Sequence, residues 1–211
     1  MSKVNFIKII IILNFVLHFI SCYDRMQTVN NLGYEVTRFM LSENLTKALS
    51  EQVNAEYYSA YMYLSMSSQA DQMGLKGAAH WLFAQAQEEM AHGTNMYQYI
   101  LERGASPILT AIESPPADFS GLLQIFEMVL SHEQTVTQRI NNIATMAMKE
   151  HDHALYQFIM WYVNEQVEEE ASASDIVNKI QMIGDNKGLL LALDTELATR
   201  IFTNPFPTML A

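Results

Sequence analysis

The chain has 211 residues, enough for one domain with a sizeable core plus an appendage at about 150 residues per domain. A single cysteine, Cys22, excludes a disulfide scaffold and a zinc ribbon, and eight Gly with five Pro are too few for a sandwich or barrel of many tight turns. The formal charge of −11 gives no basic face to follow a phosphate backbone, which argues against nucleic acid and favours cations as partners.

The first element in chain order is a segment unlike the rest. Lys3 and Lys8 precede an apolar run over residues 9–20, broken by Asn14 and His18 and followed by Ser21 and Cys22. That is the outline of a secretory signal peptide, too short for a membrane span. The competing reading is a start codon placed too far upstream, since Met40-Leu-Ser-Glu is a natural beginning just before a helix. The first version implies a secreted or organellar protein, the second a cytoplasmic one. Under either, residues 1–39 stand outside the core and residues 40–211 form the domain. That domain holds 8 Lys and Arg against 21 Asp and Glu, a balance of −13.

Long runs rich in Ala, Gln, Glu, Leu and Met favour helix and predict an all-α domain. A first helix starts near Ser42, a good N-cap, and runs to about Asp71. A second follows the turn at Gly74 and ends at Arg103, where Gly104 suits the position after a C-cap. A third runs from near Ser120 to about Glu150, and a fourth from near Asp152 to just before Gly184. A short apolar fifth helix, from about Leu189 to Arg200, precedes a tail with Pro205 and Pro207. Its leucines are too apolar for solvent and predict packing against the bundle or between subunits.

Short connections make the first pair and the last pair antiparallel neighbours. The segment 104–119, with Pro107, Pro115 and Pro116, is different: extended, it spans about 50 Å, at about 3.3 Å per residue, against about 42 Å for a helix of about 28 residues. It can cross the whole bundle and bring the third helix back parallel to the second. The result is an up-down-down-up four-helix bundle with one long crossover, the ferritin-like arrangement.

Each apolar stripe breaks near its middle. The first helix offers Leu45, Leu49, Val53, Glu56, Ala60 and Tyr63; the second Leu82, Ala86, Glu89, His92, Met96 and Ile100. The third offers Leu122, Phe126, Val129, Glu133, Val136, Ile140, Ile143 and Ala147. The fourth reads Leu155, Ile159, Tyr162, Gln166, Glu169, Ala173, Ile176, Ile180 and Ile183. Gathering these carboxylates in one core costs several kcal/mol per ion, and their like charges oppose joint ionisation. No Lys or Arg stands in the stripes, so the compensating cation must come from outside. Oxygen donors with one imidazole suit iron or manganese better than zinc or copper. Glu89-Met-Ala-His92 places a carboxylate and an imidazole one turn apart on one face. One Glu, then Glu-x-x-His, one Glu and Gln166-Val-Glu-Glu169 on successive helices match a carboxylate di-metal bundle.

From Met40 to about Arg200 the chain resembles bacterial-type non-haem ferritins, through Asn54-Ala-Glu-Tyr-Tyr-Ser-Ala60, Ala86-Gln-Glu-Glu-Met-Ala-His92, His132-Glu-Gln and Trp161-Tyr-Val-Asn-Glu-Gln-Val-Glu-Glu-Glu170. The resemblance implies that Glu56, Glu89 and His92 hold one iron and Glu89, Glu133 and Glu169 a second, with Glu89 bridging. It implies a third iron site at Glu88, Glu165, Glu168 and Glu169, and matches Tyr63 to the family's tyrosine close to the site. Haem-containing bacterioferritins carry a second Glu-x-x-His on the fourth helix, where this chain has Gln166 and Glu169, so no haem is expected. Implied with the family are a ferroxidase that converts Fe(II) to Fe(III) with dioxygen or hydrogen peroxide, ferric mineral storage, and a homo-oligomeric shell of 24 subunits with no membrane role for the domain. The alternative is a di-iron oxidase or peroxidase resembling rubrerythrins, which stores no mineral. Glu170 reads as solvated charge, and His132 as exposed or satisfied in the core.

Overall fold

The structure, a computed structural model, describes residues 40–206; the signal-like segment 1–39 and Pro207 lie outside the described residues. Among the described residues are five helices and no strand: α1 (Glu43–Gln72), α2 (Lys76–Glu102), α3 (Leu122–Lys149), α4 (His153–Ile183) and α5 (Lys187–Leu197). None is long and apolar enough to cross a membrane.

Local chemistry sets the helix ends. The Ser42 side chain accepts the Leu45 N–H at 3.2 Å and caps α1, and Asp152 accepts the Leu155 N–H at 2.9 Å to cap α4. Gly104 after α2 and Gly184 after α4 take φ of 70° and 54°, the left-handed region where glycine carries no Cβ penalty. Two ends depart from the sequence expectation. Ser120 does not cap α3, which starts at Leu122, because its hydroxyl and backbone N–H both donate to Gln124 Oε1. α5 is displaced from 189–200 because Asn186 Oδ1 accepts the N–H groups of Gly188 and Leu189, at 3.0 and 3.2 Å, and starts the helix there.

Bonds between helices fix the topology. Leu41 N–H reaches Arg103 O at one end of the α1/α2 pair and Ser67 Oγ reaches Ala79 O at the other, so the two run antiparallel. Gln52 pairs with Arg139 and Ser59 with His132, which sets α1 antiparallel to α3. Gln85 pairs with Glu169 and Asn95 with Tyr162, which sets α2 antiparallel to α4. Hence α2 and α3 are parallel, and the order is up, down, down, up.

The crossover achieves this by lying along α1. Ser50 Oγ accepts the Ile108 N–H at 3.0 Å, Asn54 donates to Ile108 O and accepts from Thr110 N–H, both at 3.0 Å, and Ser65 donates to Pro116 O at 2.6 Å. An extended segment cannot pair its own backbone groups, and these side chains supply partners.

All the stripe residues are buried except Ile183, which is half-buried. The apolar ones separate into two clusters. One contains Leu45, Leu49, Val53, Met96, Ile140, Leu155 and Ile159; the other contains Tyr63, Met66, Leu82, Phe126, Val129, Ala173 and Ile176. α5 closes the second, burying Leu193 and Leu197 while Leu189 and Leu191 stay 51% and 60% exposed, so only one face of it meets the packing expectation within the subunit. Its approach is tight: a β-carbon on Gly77 would stand 1.6 Å from Asp194 O. Asp194 Oδ1 also accepts the Ala78 N–H at 2.8 Å and caps α2, whose own N-cap residue Leu75 offers no side-chain acceptor.

Candidate metal centre

Between the two apolar clusters lies a buried polar layer built from Glu56 on α1, Glu89 and His92 on α2, Glu133 on α3, and Gln166 with Glu169 on α4. The layer is compact because α1 and α2 come close. A β-carbon on Gly93, next to His92, would meet Tyr57 Cε1 at 2.8 Å and Glu56 Cβ at 3.2 Å. One ligand atom from each of Glu56, Glu89 and His92 lies within 4.8 Å of the others. His92 Nδ1 is 3.8 Å from Glu89 Oε2.

Neutral amides hold the carboxylates. Gln52 Nε2 donates to Glu56 Oε1 at 2.8 Å, Gln85 Nε2 to Glu89 Oε1 at 3.2 Å and to Glu169 Oε1 at 2.8 Å, and Gln166 Nε2 to Glu133 Oε2 at 3.1 Å. Tyr63 OH, fully buried, donates to Glu133 Oε1. These donors orient the acids without supplying positive charge. Burial, then the Glu89 charge, holds the Glu56 carboxyl well above the ordinary range. Burial and Glu133 do the same to Glu89, and raise Glu169 to about 8. Burial beside Glu133 likewise keeps the Tyr63 phenol protonated far above its usual pKa.

Three buried atoms here have no hydrogen bond: Glu56 Oε2, His92 Nε2 and Gln85 Oε1, the last on the amide whose Nε2 holds Glu89 and Glu169. Leaving such a group unsatisfied costs about 1–3 kcal/mol, more for a charged one. A metal ion suits this donor set of carboxylate oxygens and one imidazole. Around His92 the support is aromatic. Tyr162 OH donates to His92 O at 3.2 Å and accepts from Asn95 Nδ2 at 2.7 Å, while Trp161 and Phe206 set their rings edge-on to the imidazole.

Toward the surface, Glu88, Glu165, Glu168 and Glu169 line one cleft of about 360 Å³. The tightest group there is Glu88, His92 and Glu165, with ligand atoms within 4.8 Å of one another; Glu168 lies on the exposed rim. Burial raises the Glu165 carboxyl, partly offset by His92. Arg200 enters the same cleft and pairs with Glu88 Oε2 at 2.5 Å.

The structure thus brings Glu56, Glu89, His92, Glu133, Gln166, Glu169 and Tyr63 into one layer and Glu88, Glu165 and Glu168 into the adjoining cleft. Sequence reading passed over Gln52 and Gln85, although each stands four residues before a layer glutamate, the spacing of helix neighbours. It gave no sign of Asn95, Arg200 or Phe206. Glu170 departs from the solvated reading: it is half-buried and accepts from Thr137 Oγ1 at 2.5 Å. His132 is satisfied by Ser59 Oγ at 2.7 Å.

A family model described as a ferritin-like domain matches residues 46–183. The chain is 40% identical over 163 residues to the bacterial non-heme ferritin of Staphylococcus aureus (strain MRSA252), an alignment covering 77% of this chain and 98% of that protein. Identity to the bacterial non-heme ferritin of Staphylococcus saprophyticus is also 40%, over the same shares of each chain. Among solved structures, an open pore ferritin from the hyperthermophilic archaeon Archaeoglobus fulgidus is 50% identical, with a TM-score of 0.75 over 76% of this chain and 98% of that one. Five helices in this order, an acidic layer across the middle of the bundle and relatives aligned over nearly their whole length lead to one conclusion: the chain belongs to the ferritin family.

Proposed function

We propose that this chain is the subunit of an iron-storage ferritin whose buried layer is a ferroxidase centre, oxidising Fe(II) to Fe(III) with dioxygen or hydrogen peroxide before the iron is deposited as ferric mineral. The observation that carries this reading is the buried cluster of Glu56, Glu89 and His92, with ligand atoms within 4.8 Å of one another and Glu56 Oε2 unpartnered, in a layer of acids that has no internal cation. Fe(II) is the substrate that removes the deficit.

In this reading Glu56, Glu89 and His92 hold one iron, and Glu89, Glu133 and Glu169 the second, with Glu89 shared. Carboxylates favour Fe(III) over Fe(II) because the higher charge gains more from them, which lowers the cost of oxidation. Gln85 ties Glu89 to Glu169, and Gln166 with Tyr63 fixes Glu133, so the second position is oriented before iron arrives. Glu88, Glu165, Glu168 and Glu169 form a third position through which iron moves on from the pair. No haem enters this scheme.

The domain begins near residue 40, supported by the compact unit that starts at Leu41. Storage needs a closed container, which the resemblance supplies as a homo-oligomer of 24 subunits. Tyr61 and Leu64 on α1 and Phe83 and Met90 on α2, 43–53% exposed, are apolar surface available for such contacts. A chain translated from near Met40 is cytoplasmic; one that keeps the signal-like segment is exported or sent to an organelle.

Anaerobic Fe(II) loading followed by oxygen, with absorbance and iron-to-protein ratio recorded, tests the proposal. Many irons per subunit and a mineral core by electron microscopy are expected. Oxidation without a core would mean a rubrerythrin-like oxidase. Glu89→Ala with Glu133→Ala should slow oxidation by more than the roughly 10- to 100-fold typical of losing an outer partner of a metal ligand. An unchanged rate, with raised stability, would mean that no metal belongs in the layer.

A further inference from the structure

After α5 the chain turns back along the bundle. His80 Nε2 meets Arg200 O at 2.8 Å, the Arg200 guanidinium lies 4.4 Å from the Trp81 ring centroid, and its Nη2 reaches Glu88 Oε2 at 2.5 Å. Ile201 and Thr203 then border the outer cleft, and the Phe206 ring packs 4.6 Å from Trp161 and 6.2 Å from His92. The segment therefore runs from Trp81 to His92, about 16 Å along α2 at about 1.5 Å per residue. It borders the cleft that Glu169 of the buried layer shares with Glu88, Glu165 and Glu168.

We propose that Arg200 is a resident cation of this cleft which an arriving metal ion must displace from Glu88, so that residues 198–206 form a strap opened by metal. The proposal rests on the reading of the layer as an iron-handling centre and adds a control to it.

Arg200 is the one cationic side chain among the described residues lining a cleft with four glutamates. Its guanidinium stays charged at all relevant pH, so the cleft holds a positive group whether or not metal is present. A metal ion bound by Glu88 and Glu165 competes with the guanidinium for Glu88, because the two cations repel at contact distance. The pair is also within reach of water, with side chains 21% and 18% exposed, which limits what holds it closed. The Trp81 ring is the second contact that the guanidinium gives up when it leaves Glu88. Beyond Arg200 the strap is held, among the described residues, by Phe206 alone, since Ile201 is 84% exposed while the Phe206 ring packs on Trp161. Displacement of the guanidinium costs one ion pair and one ring contact, and opening the strap further breaks the His80 contact to Arg200 O and the packing of Phe206.

The chain has two tryptophans, and the strap touches both: Arg200 lies on Trp81, and Phe206 on Trp161. The test uses the full chain in a Trp161→Phe background, so that emission reports Trp81 alone, titrated with Zn(II) as a probe that does no redox chemistry. Binding is followed by calorimetry in parallel. The parent should show tight binding at the buried layer and then a weaker step accompanied by a change in Trp81 emission. Glu88→Gln should abolish the weaker step. Arg200→Gln should strengthen it by about two- to fivefold, the scale of losing one partly exposed competing ion pair, and remove the emission change. Arg200→Lys should stay close to the parent. Phe206→Ala, which loosens the strap without altering the charges in the cleft, should strengthen the step by a smaller factor and guards against misfolding of the Arg200 variant. Unchanged or weaker Zn(II) binding in both Arg200→Gln and Phe206→Ala would overturn the proposal, as would a weaker step that leaves Trp81 emission unmoved in the parent. If the parent fails to oxidise Fe(II) yet shows this Zn(II) pattern, the ferroxidase reading falls and the strap stands.

Discussion

The backbone carbonyl of Asp194 occupies the space where a side chain on Gly77 would begin, 1.6 Å from an ideal β-carbon. The two helices meet backbone to backbone, and only glycine allows it. Gly77→Ala should force α5 away from α2 and remove the Asp194 cap on Ala78. Overpacking of this kind costs about 1–3 kcal/mol, equivalent to a fall in melting temperature of about 2–12 °C for a chain of this size. Limited proteolysis should show new cleavage over 184–200, and an unaltered pattern would contradict this packing.

Stability of the metal-free protein should fall as pH rises. Glu56, Glu89 and Glu169 have folded pKa values above the unfolded value near 4.5, that of Glu169 at about 8. Between those limits the folded chain keeps protons that the unfolded chain has released. The stabilisation is complete below the unfolded pKa and is lost as pH climbs through the folded one. Melting temperatures measured from about pH 5 to 8 should decline, and loading with Zn(II) should flatten the trend because the cation takes over from the protons. Glu169→Gln should also reduce the slope; a slope of the opposite sign would show that these acids ionise freely in the core.

Gln85→Leu removes the amide that joins Glu89 to Glu169 while nearly preserving volume. Metal affinity at the layer should drop by about 10- to 100-fold, as for other groups that orient a ligand. Calorimetry with Zn(II) would measure it. Affinity equal to the parent would mean that packing alone orients the two acids.

Tyr63→Phe leaves Glu133 without its phenolic donor but with the Gln166 amide still in place. The loss should be milder for binding than in Gln85→Leu and visible mainly as slower oxidation of Fe(II) per bound pair. Stability should fall by about 1–3 kcal/mol from the acceptor left unpaired. An unchanged oxidation rate would reduce Tyr63 to a packing residue.

Much of this molecule was legible in its sequence because helical periodicity makes an inward face countable. Glu56, Glu89, His92, Glu133 and Glu169 stood out as acids and imidazole on stripes otherwise filled by aliphatic and aromatic residues and Gln166, and each of them is buried. The three prolines of the 104–119 segment gave its extension, hence the parallel return of α3. What stayed hidden depends on contacts between distant parts of the chain. Arg200 lies 112 positions from Glu88, and Asp194 lies 116 from Ala78; no local pattern encodes such pairs. Gln52 and Gln85 were hidden differently: glutamine is an ordinary helix residue, and only its burial marks it as a ligand-orienting group.

The crossover pinned to Ser50, Asn54 and Ser65 governs more than connectivity. The α1/α2 hairpin carries Glu56, Glu89 and His92, and the α3/α4 hairpin carries Glu133, Gln166 and Glu169. Covalently, the two halves are joined through this one segment. Its attachment acts as a ruler: it sets how far α3 is paid out before turning inward, and therefore the height at which one half of the donor set faces the other. A slip of a single residue along that ruler would rotate α3 by about 100° and carry Glu133 out of the layer.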